Sequence, residues 1–177
     1  MARRVAGMSS GLAVADAPWH ARRDAVAGLG AALAVLTGTV AKMARDVALL
    51  AQGEVAEAFE PRAEGRGGSS AMAHKRNPTG CQVALSAAVR APHLAATLIS
   101  ALPGEHERGL GGWQAEAAVL ADLFALAGGA AAAMADVAEG LEIDAAAMAR
   151  NLAAAGVGAD TGEAEALARR LLADGED

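Results

Sequence analysis

Tyrosine is absent from this sequence of 177 residues, and Trp and Phe number only two each, so aromatic residues make up 2% of the chain. Hydrophobic residues nevertheless make up 54%, and alanine supplies most of them. Each buried alanine removes little apolar area from water, at about 25 cal/mol per Å². The composition therefore favours long helices that approach one another closely and gain further buried area by association.

The sequence also has little cysteine, no excess of basic residues and no long apolar run. The single cysteine, Cys81, excludes an intrachain disulfide framework and fits a reducing, cytoplasmic compartment. The 15 Lys and Arg against 21 Asp and Glu give a net charge of -6, which argues against a nucleic-acid or anionic-membrane partner. No uninterrupted apolar run reaches the roughly 18 residues that span a bilayer, and Gly and Ser interrupt residues 5–15, so neither a membrane helix nor a signal peptide is expected.

Apolar residues in the first half of the chain recur at alternating spacings of three and four. This pattern predicts one long helix from about residue 17 to 59, with Asp16 as N-cap and Pro18 in its first turn. Four glycines in this stretch each cost about 1 kcal/mol of helix propensity, and we expect a closely approaching helix to compensate for them. The seam is Val26, Leu29, Leu33, Leu36, Val40, Met43, Val47 and Leu50, and the glycines are Gly28, Gly30, Gly38 and Gly53.

Further helices are predicted downstream, and no segment shows convincing strand alternation. One helix begins with Asn77 as N-cap and Pro78 at its first position and ends near residue 102; another spans about 113–139 and stops at Gly140. Asp144 caps a short helix, and a last one spans about 162–173. The second seam is Leu120, Leu123, Ala127, Ala130, Met134 and Val137.

The fold class is therefore all-α. Residues 1–15 form an irregular lead-in, residues 16–140 a long-helix bundle with a loop over 60–78, and residues 141–177 short C-terminal helices. Apolar seams of this length need more partners than two neighbouring helices supply, which predicts a homo-oligomer.

Residues 67–78 join a glycine-flexible stretch with two hydroxyls to a basic pair beside a helix start. Free N–H groups of that start, with Lys75 and Arg76, make carboxylate or phosphate binding plausible, and Asn77 can donate a further hydrogen bond. On composition alone, a solvated linker that happens to precede a helix explains the same residues. The binding interpretation depends on what else the segment matches.

The segment resembles the signature loop of the fumarase/aspartase superfamily, Gly-Ser-Ser-x-Met-Pro-x-Lys-x-Asn-Pro. Residues 105–116 and 16–20 narrow the resemblance to the 3-carboxy-cis,cis-muconate cycloisomerase branch, and it covers about residues 12–152. Ala73 replaces the pattern's proline. The matching positions are Gly68, Ser69, Ser70, Met72, Lys75, Asn77 and Pro78.

The resemblance implies an activity and roles for these residues. Ser69 would be the general base, and Lys75 and Asn77 would hold a substrate carboxylate and the charge that develops on it. Arg108 would clamp a second carboxylate with its guanidinium fork. Ser70, Met72 and His74 would complete the substrate-binding loop.

The implied reaction is addition of a carboxylate of a small polycarboxylate across its own double bond, forming 4-carboxymuconolactone in aromatic (protocatechuate) catabolism. It needs neither metal nor cofactor. The implied fold is part of the superfamily's central helical domain, in a tetramer whose sites combine residues of three subunits. Family members are about twice as long, so the resemblance predicts an abbreviated member that lacks the N-terminal half and most of the C-terminal domain.

Two alternatives stay open. One is an adenylosuccinate-lyase-like activity, and the other is a non-catalytic helical assembly module derived from the family.

Several other residues carry weaker hypotheses. Cys81, close to a helix start, is either a packing residue or a thiol of lowered pKa, and packing is favoured. Glu116 either orients Arg108 or faces solvent, while Trp113 and His20 are assigned to packing. No spacing typical of a metal site, phosphate loop or dinucleotide fingerprint occurs in the sequence.

Overall fold

A computed structural model describes residues 20–62, 65–68 and 75–173. The helices in these ranges are α1 (Asp24–Leu50), α2 (Thr79–Ser100), α3 (Gly112–Glu139), α4 (Ala145–Ala155) and α5 (Ala164–Ala173). Two short strands, β1 (Ala58–Phe59) and β2 (Glu142–Ile143), form an antiparallel ribbon in which Phe59 pairs with Glu142. The all-α class is confirmed, with this ribbon as an addition that alternation could not predict because each strand has two residues.

The three long helices pack against one another and enclose a core made mostly of alanine. The core has two clusters, one towards the start of α2 and the end of α3 around Ala84 and Ala130, and one nearer the α2–α3 connection around Leu98 and Leu123. The seam predicted for α3 is confirmed: five of its six members are buried, and Leu120 packs against the second cluster.

The seam predicted for α1 is only partly inside the chain. The buried residues of α1 are Ala27, Gly30, Thr37, Ala41 and Ala44, all small, and none belongs to the seam. Every first seam position (26, 33, 40 and 47) packs against a core cluster, whereas Leu29, Leu36 and Met43 stay 43%, 47% and 48% exposed. Small residues face the bundle because they let the backbones of α1, α2 and α3 approach closely, and three of the eight seam residues remain exposed.

Close approach explains one of the four glycines of this stretch. A Cβ on Gly30 would lie 2.3 Å from Leu98 Cδ1, so any larger residue would force the buried Leu98 side chain to shift. Gly28, Gly38 and Gly53 have open space where a Cβ would be, so no helix of the same chain provides the expected compensation at these three.

The first helix is shorter than the predicted span of 17–59. It begins at Asp24 and ends at Leu50, and turns occupy the chain up to β1. Asp16 and Pro18, like the lead-in 1–15, lie outside the described residues. Helix α2 begins one residue later than expected, with Pro78 as N-cap, and continues through Pro92. The stop of α3 at Gly140 and the Asp144 cap, whose Oδ1 accepts from the Ala147 N–H at 2.8 Å, are confirmed.

Helices α1, α2 and α3 are each long enough and apolar enough to cross a membrane by length and composition alone, with mean hydropathy of 1.6, 1.3 and 1.8 over 18 residues. Uninterrupted apolar runs do not reveal these stretches, because isolated polar residues break the runs while alanine keeps the mean hydropathy high. At most 28% of each stretch is buried within the chain. The three helices therefore expose much apolar surface.

Candidate active site

The segment Lys75–Pro78 borders a cavity of about 230 Å³ at the N-terminal end of α2. The C-terminal part of α3 and the chain on either side of β1 complete its wall. Four cationic side chains line it, against two carboxylates. They are Arg62, Arg66, Lys75 and Arg76, with Glu60 and Asp136.

Most of these charges already have partners in the chain. Arg66 lies 3.6 Å from Asp136, and Arg76 donates to Glu142 at 2.8 Å, which lowers the pKa of the Glu142 carboxyl. Lys75 is exposed, and no acidic side chain in the described part of the chain pairs with it. Its ammonium is therefore available to an incoming carboxylate.

Asn77 also lines the cavity, and its backbone is fixed. Its N–H donates to the Gly67 carbonyl at 2.7 Å, while its side-chain amide makes a long contact of 3.4 Å with the Gly68 carbonyl. The amide is thus weakly held and faces the same space as Lys75. The structure brings together these two predicted site residues, and their roles stay predictions.

The start of α2 does not offer free N–H groups, contrary to expectation. The Glu60 carboxylate accepts from the N–H groups of Gly80 (Oε2, 3.0 Å) and Cys81 (Oε1, 2.7 Å), and the Thr79 N–H donates to the Asn77 carbonyl. A carboxylate of the chain itself therefore occupies the helix end. Sequence reasoning missed Glu60 because it lies 20 residues before Gly80 and belongs to no motif.

Ser69, Ser70, Met72 and His74 lie outside the described residues, as does Ala73. Their predicted roles are therefore untested.

Arg108 lies far from the other predicted residues within one chain. It is exposed in the loop between α2 and α3, whereas Lys75 precedes the opposite end of α2. Helix α2 has 22 residues and is about 33 Å long. A single copy of the chain cannot hold one small substrate between Lys75 and Arg108.

Glu116 does not orient Arg108, because it forms a buried ion pair with Arg23. The Arg23 Nε lies 2.9 Å from both carboxylate oxygens, and Nη2 makes a further close contact. Hydrogen bonding with Glu116 raises the pKa of Arg23. The pair ties the residue before α1 to Glu116 near the start of α3, and the His20 ring makes an edge-to-face contact with Trp113 at a centroid distance of 5.0 Å.

Cys81 is a packing residue, as favoured from the sequence. Its side chain is fully buried in the core, and burial together with the Glu60 carboxylate raises the pKa of the thiol to about 12. The alternative of a lowered pKa is wrong, because Glu60 cancels the positive end of the helix. Within the described ranges no cluster of three His, Cys, Asp or Glu could hold a metal ion.

Comparison with known proteins identifies relatives of this chain. The sequence model of the lyase family (Lyase_1) matches residues 2–92. The chain is 52% identical over 141 residues to 3-carboxy-cis,cis-muconate cycloisomerase of Bradyrhizobium diazoefficiens and 48% identical over 141 residues to that of Pseudomonas putida, covering 80% of this chain and 31% and 33% of those proteins.

The fold is similar to the crystal structure of 3-carboxy-cis,cis-muconate lactonizing enzyme from Pseudomonas putida. The TM-score is 0.74 at 41% identity, over 85% of this chain and 32% of that one. The chain spans about a third of the length of the relatives that it matches.

Proposed function

The chain belongs to the fumarase/aspartase superfamily of lyases, and from that premise we propose that it carries the signature-loop part of a 3-carboxy-cis,cis-muconate cycloisomerase. The reaction would be intramolecular addition of a carboxylate to an alkene, forming 4-carboxymuconolactone in aromatic catabolism. The observation that carries the proposal is the placement of Lys75 and Asn77 together at a cation-lined cavity, in a chain half identical to such enzymes.

The chemistry follows from the charges. A small polycarboxylate enters a cavity with four cations and two acids, and the Lys75 ammonium takes one of its carboxylates. The Asn77 amide donates to the oxygen on which charge accumulates as the adjacent carbon exchanges its proton with Ser69. No step calls for a metal or a cofactor.

The site is assembled from more than one chain. Arg108 and Lys75 of one copy are separated by about the 33 Å of α2, so the Arg108 that clamps the second carboxylate comes from another subunit. The exposed part of the α1 seam supports the same conclusion, because Leu29, Leu36 and Met43 are uncovered in a single chain. A homo-oligomer, a tetramer by family resemblance, fits both observations.

The apolar surface of α1, α2 and α3 belongs to this assembly and not to a bilayer. Each helix buries one face against its neighbours in the chain, through small residues on α1 and mostly small residues on α2, and through Leu123, Met134 and Val137 as well as alanines on α3. The exposed apolar residues of the three helices suit further helices. The proposed partners are copies of the chain and the small polycarboxylate substrate, with neither nucleic acid nor membrane, and the proposed location is the cytoplasm.

The test is loss of the ultraviolet absorbance of 3-carboxy-cis,cis-muconate, whose conjugated diene disappears on lactonisation. The 177-residue protein should turn the substrate over, and Ser69→Ala should lower the rate at least about 100-fold, since a general base contributes roughly 10²–10⁴-fold. Ser100→Ala, at the exposed end of α2, is the matched control and should keep the rate.

Two results would contradict the proposal. Turnover that survives Ser69→Ala would remove Ser69 from the role of base. A folded, oligomeric protein without turnover would favour the non-catalytic assembly module.

A further inference from the structure

Two side chains connect the beginning and the end of the signature loop in opposite directions. Glu60, at the beginning, accepts through its carboxylate from the backbone N–H groups of Gly80 and Cys81 at the end. Arg76, near the end, donates through Nη2 to the backbone carbonyl of Glu60. Each end of the loop thus holds the backbone of the other.

Arg76 is itself held by the ribbon. Its guanidinium lies 4.7 Å from the centre of the Phe59 ring and donates to Glu142 at 2.8 Å. Phe59 and Glu142 are directly opposite each other on β1 and β2. The arginine therefore rests on one cross-strand pair, where its fork bonds a carboxylate and a carbonyl while its flat face covers an aromatic ring.

The neighbours of Arg76 in sequence are the two residues that the proposed function uses. Lys75 precedes it and Asn77 follows it, and both line the cavity. These contacts fix the backbone at residues 76 and 80–81, and the Asn77 N–H donates to the Gly67 carbonyl. The positions of Lys75 and Asn77 are therefore set by groups that line the cavity but do not bind the substrate.

We propose that Glu60 and Arg76 are positioning residues that form a reciprocal clasp, which holds Lys75 and Asn77 at the cavity so that both meet the same carboxylate. The role of the clasp in positioning substrate ligands rests on the proposed function, whereas the contacts that form the clasp do not. Charge-assisted hydrogen bonds are stronger than neutral ones, and all the side-chain hydrogen bonds of the clasp are of this kind. Glu60 thus keeps the helix N-terminus closed to substrate and leaves Lys75 as the carboxylate ligand.

The single cysteine makes the clasp directly observable. Labelling the full chain with ¹⁵N-cysteine gives one amide resonance, that of Cys81, whose N–H donates to Glu60. Glu60→Gln should move this resonance upfield in the proton dimension, because a charged acceptor is lost. Arg76→Gln should move it in the same direction although Arg76 does not contact Cys81, because the Glu60 backbone is released.

Matched controls lie nearby. Glu54→Gln changes an exposed carboxylate before β1, and Arg45→Gln changes an exposed arginine on α1. Both should leave the Cys81 resonance in place.

Trypsin gives the second readout. Glu60→Gln and Arg76→Gln should each increase cleavage after Arg66 and Lys75 about tenfold, since loss of the clasp lets the loop open locally. Cleavage after Arg90, inside α2, should not change.

The outcomes separate the clasp from general destabilisation and from the proposed function. An unmoved Cys81 resonance in Arg76→Gln, or an equal increase of cleavage after Arg90, overturns the clasp. Neither readout needs turnover, so a clasp without cycloisomerase activity refutes the proposed function alone, and activity with an unmoved resonance refutes the clasp alone.

Discussion

Cys81 shows at the scale of one residue why a helix start is not by itself an activating environment. The positive end of α2 would lower the pKa of a nearby thiol, but Cys81 is fully buried and its N–H is bonded to the Glu60 carboxylate. Both influences favour the neutral thiol and raise its pKa to about 12. The residue fills the core as a neutral thiol at pH 7.

The raised pKa predicts a loss of stability in alkali. In the unfolded chain the thiol ionises near its ordinary value, about 8.5–9. The unfolded state therefore loses its proton first as the pH rises, and the stabilising contribution of the neutral buried thiol, fully present below pH 8, is lost progressively between about pH 9 and 12. From pH 8 to pH 10.5 the free energy of unfolding should fall by about 2 kcal/mol from this group.

Urea unfolding of the protein and of Cys81→Ala at the two pH values measures this contribution. The sequence suits the comparison because few other side chains titrate between pH 8 and pH 10.5: it has no tyrosine, and its only lysines are Lys42 and Lys75. The explanation is wrong if the Cys81→Ala variant loses as much stability in alkali as the parent.

The sequence predicts which residues lie together where the motif is local, and it does so poorly where the partners are distant. Lys75 and Asn77 are recognisable from an eleven-residue pattern, and the structure places both at one cavity. Glu60 lies 20 residues from Gly80, and Arg23 lies 93 residues from Glu116. No spacing rule relates such pairs, since only the packing of the helices brings them together.

At the scale of elements, the glycines of α1 divide into one that the packing requires and others that it does not. Gly30 lies directly under Leu98, which is 2% exposed, and Leu123 closes the other side at 3.4 Å from the same point. A shift of Leu98 would therefore have to take place within the packed core. Gly38 lies on the exposed side of the same helix with open space around it.

Alanine substitutions at these two positions should therefore have opposite effects. Gly30→Ala should destabilise the protein by about 1–2 kcal/mol, because overpacking outweighs the gain in helix propensity. Gly38→Ala should stabilise it by up to about 1 kcal/mol. Thermal unfolding of both variants is the measurement, and stabilisation by both would refute the close approach of α1 and α2.

At the scale of the whole molecule, the α1 seam has a covered and an uncovered part. Residues 26, 33, 40 and 47 pack against the core clusters, whereas Leu29, Leu36 and Met43 point away from the core. An uncovered row of large apolar residues beside a fully packed face is typical of a surface that another subunit covers.

A charge in the middle of that row should weaken the oligomer. Leu36→Glu is expected to raise the dissociation constant at least about 100-fold, because a buried unpaired carboxylate costs several kcal/mol. Leu36→Met keeps the volume and the apolar character, so it should retain the mass of the parent. Light scattering coupled to size-exclusion chromatography compares the three proteins, and an unchanged mass for Leu36→Glu would place the interface elsewhere.

The sequence by itself determined the helical class, the stop of α3 at Gly140, the Asp144 cap and the signature residues. These depend on contacts between residues a few positions apart, and such contacts can be predicted from the spacing and the type of the side chains. Tertiary structure alone decided which face of α1 is buried, that Glu60 occupies the start of α2, and that Arg108 lies a helix length from Lys75. Those features arise from helices packing across long sequence separations, where small residues permit close approach and the larger ones are left for other partners.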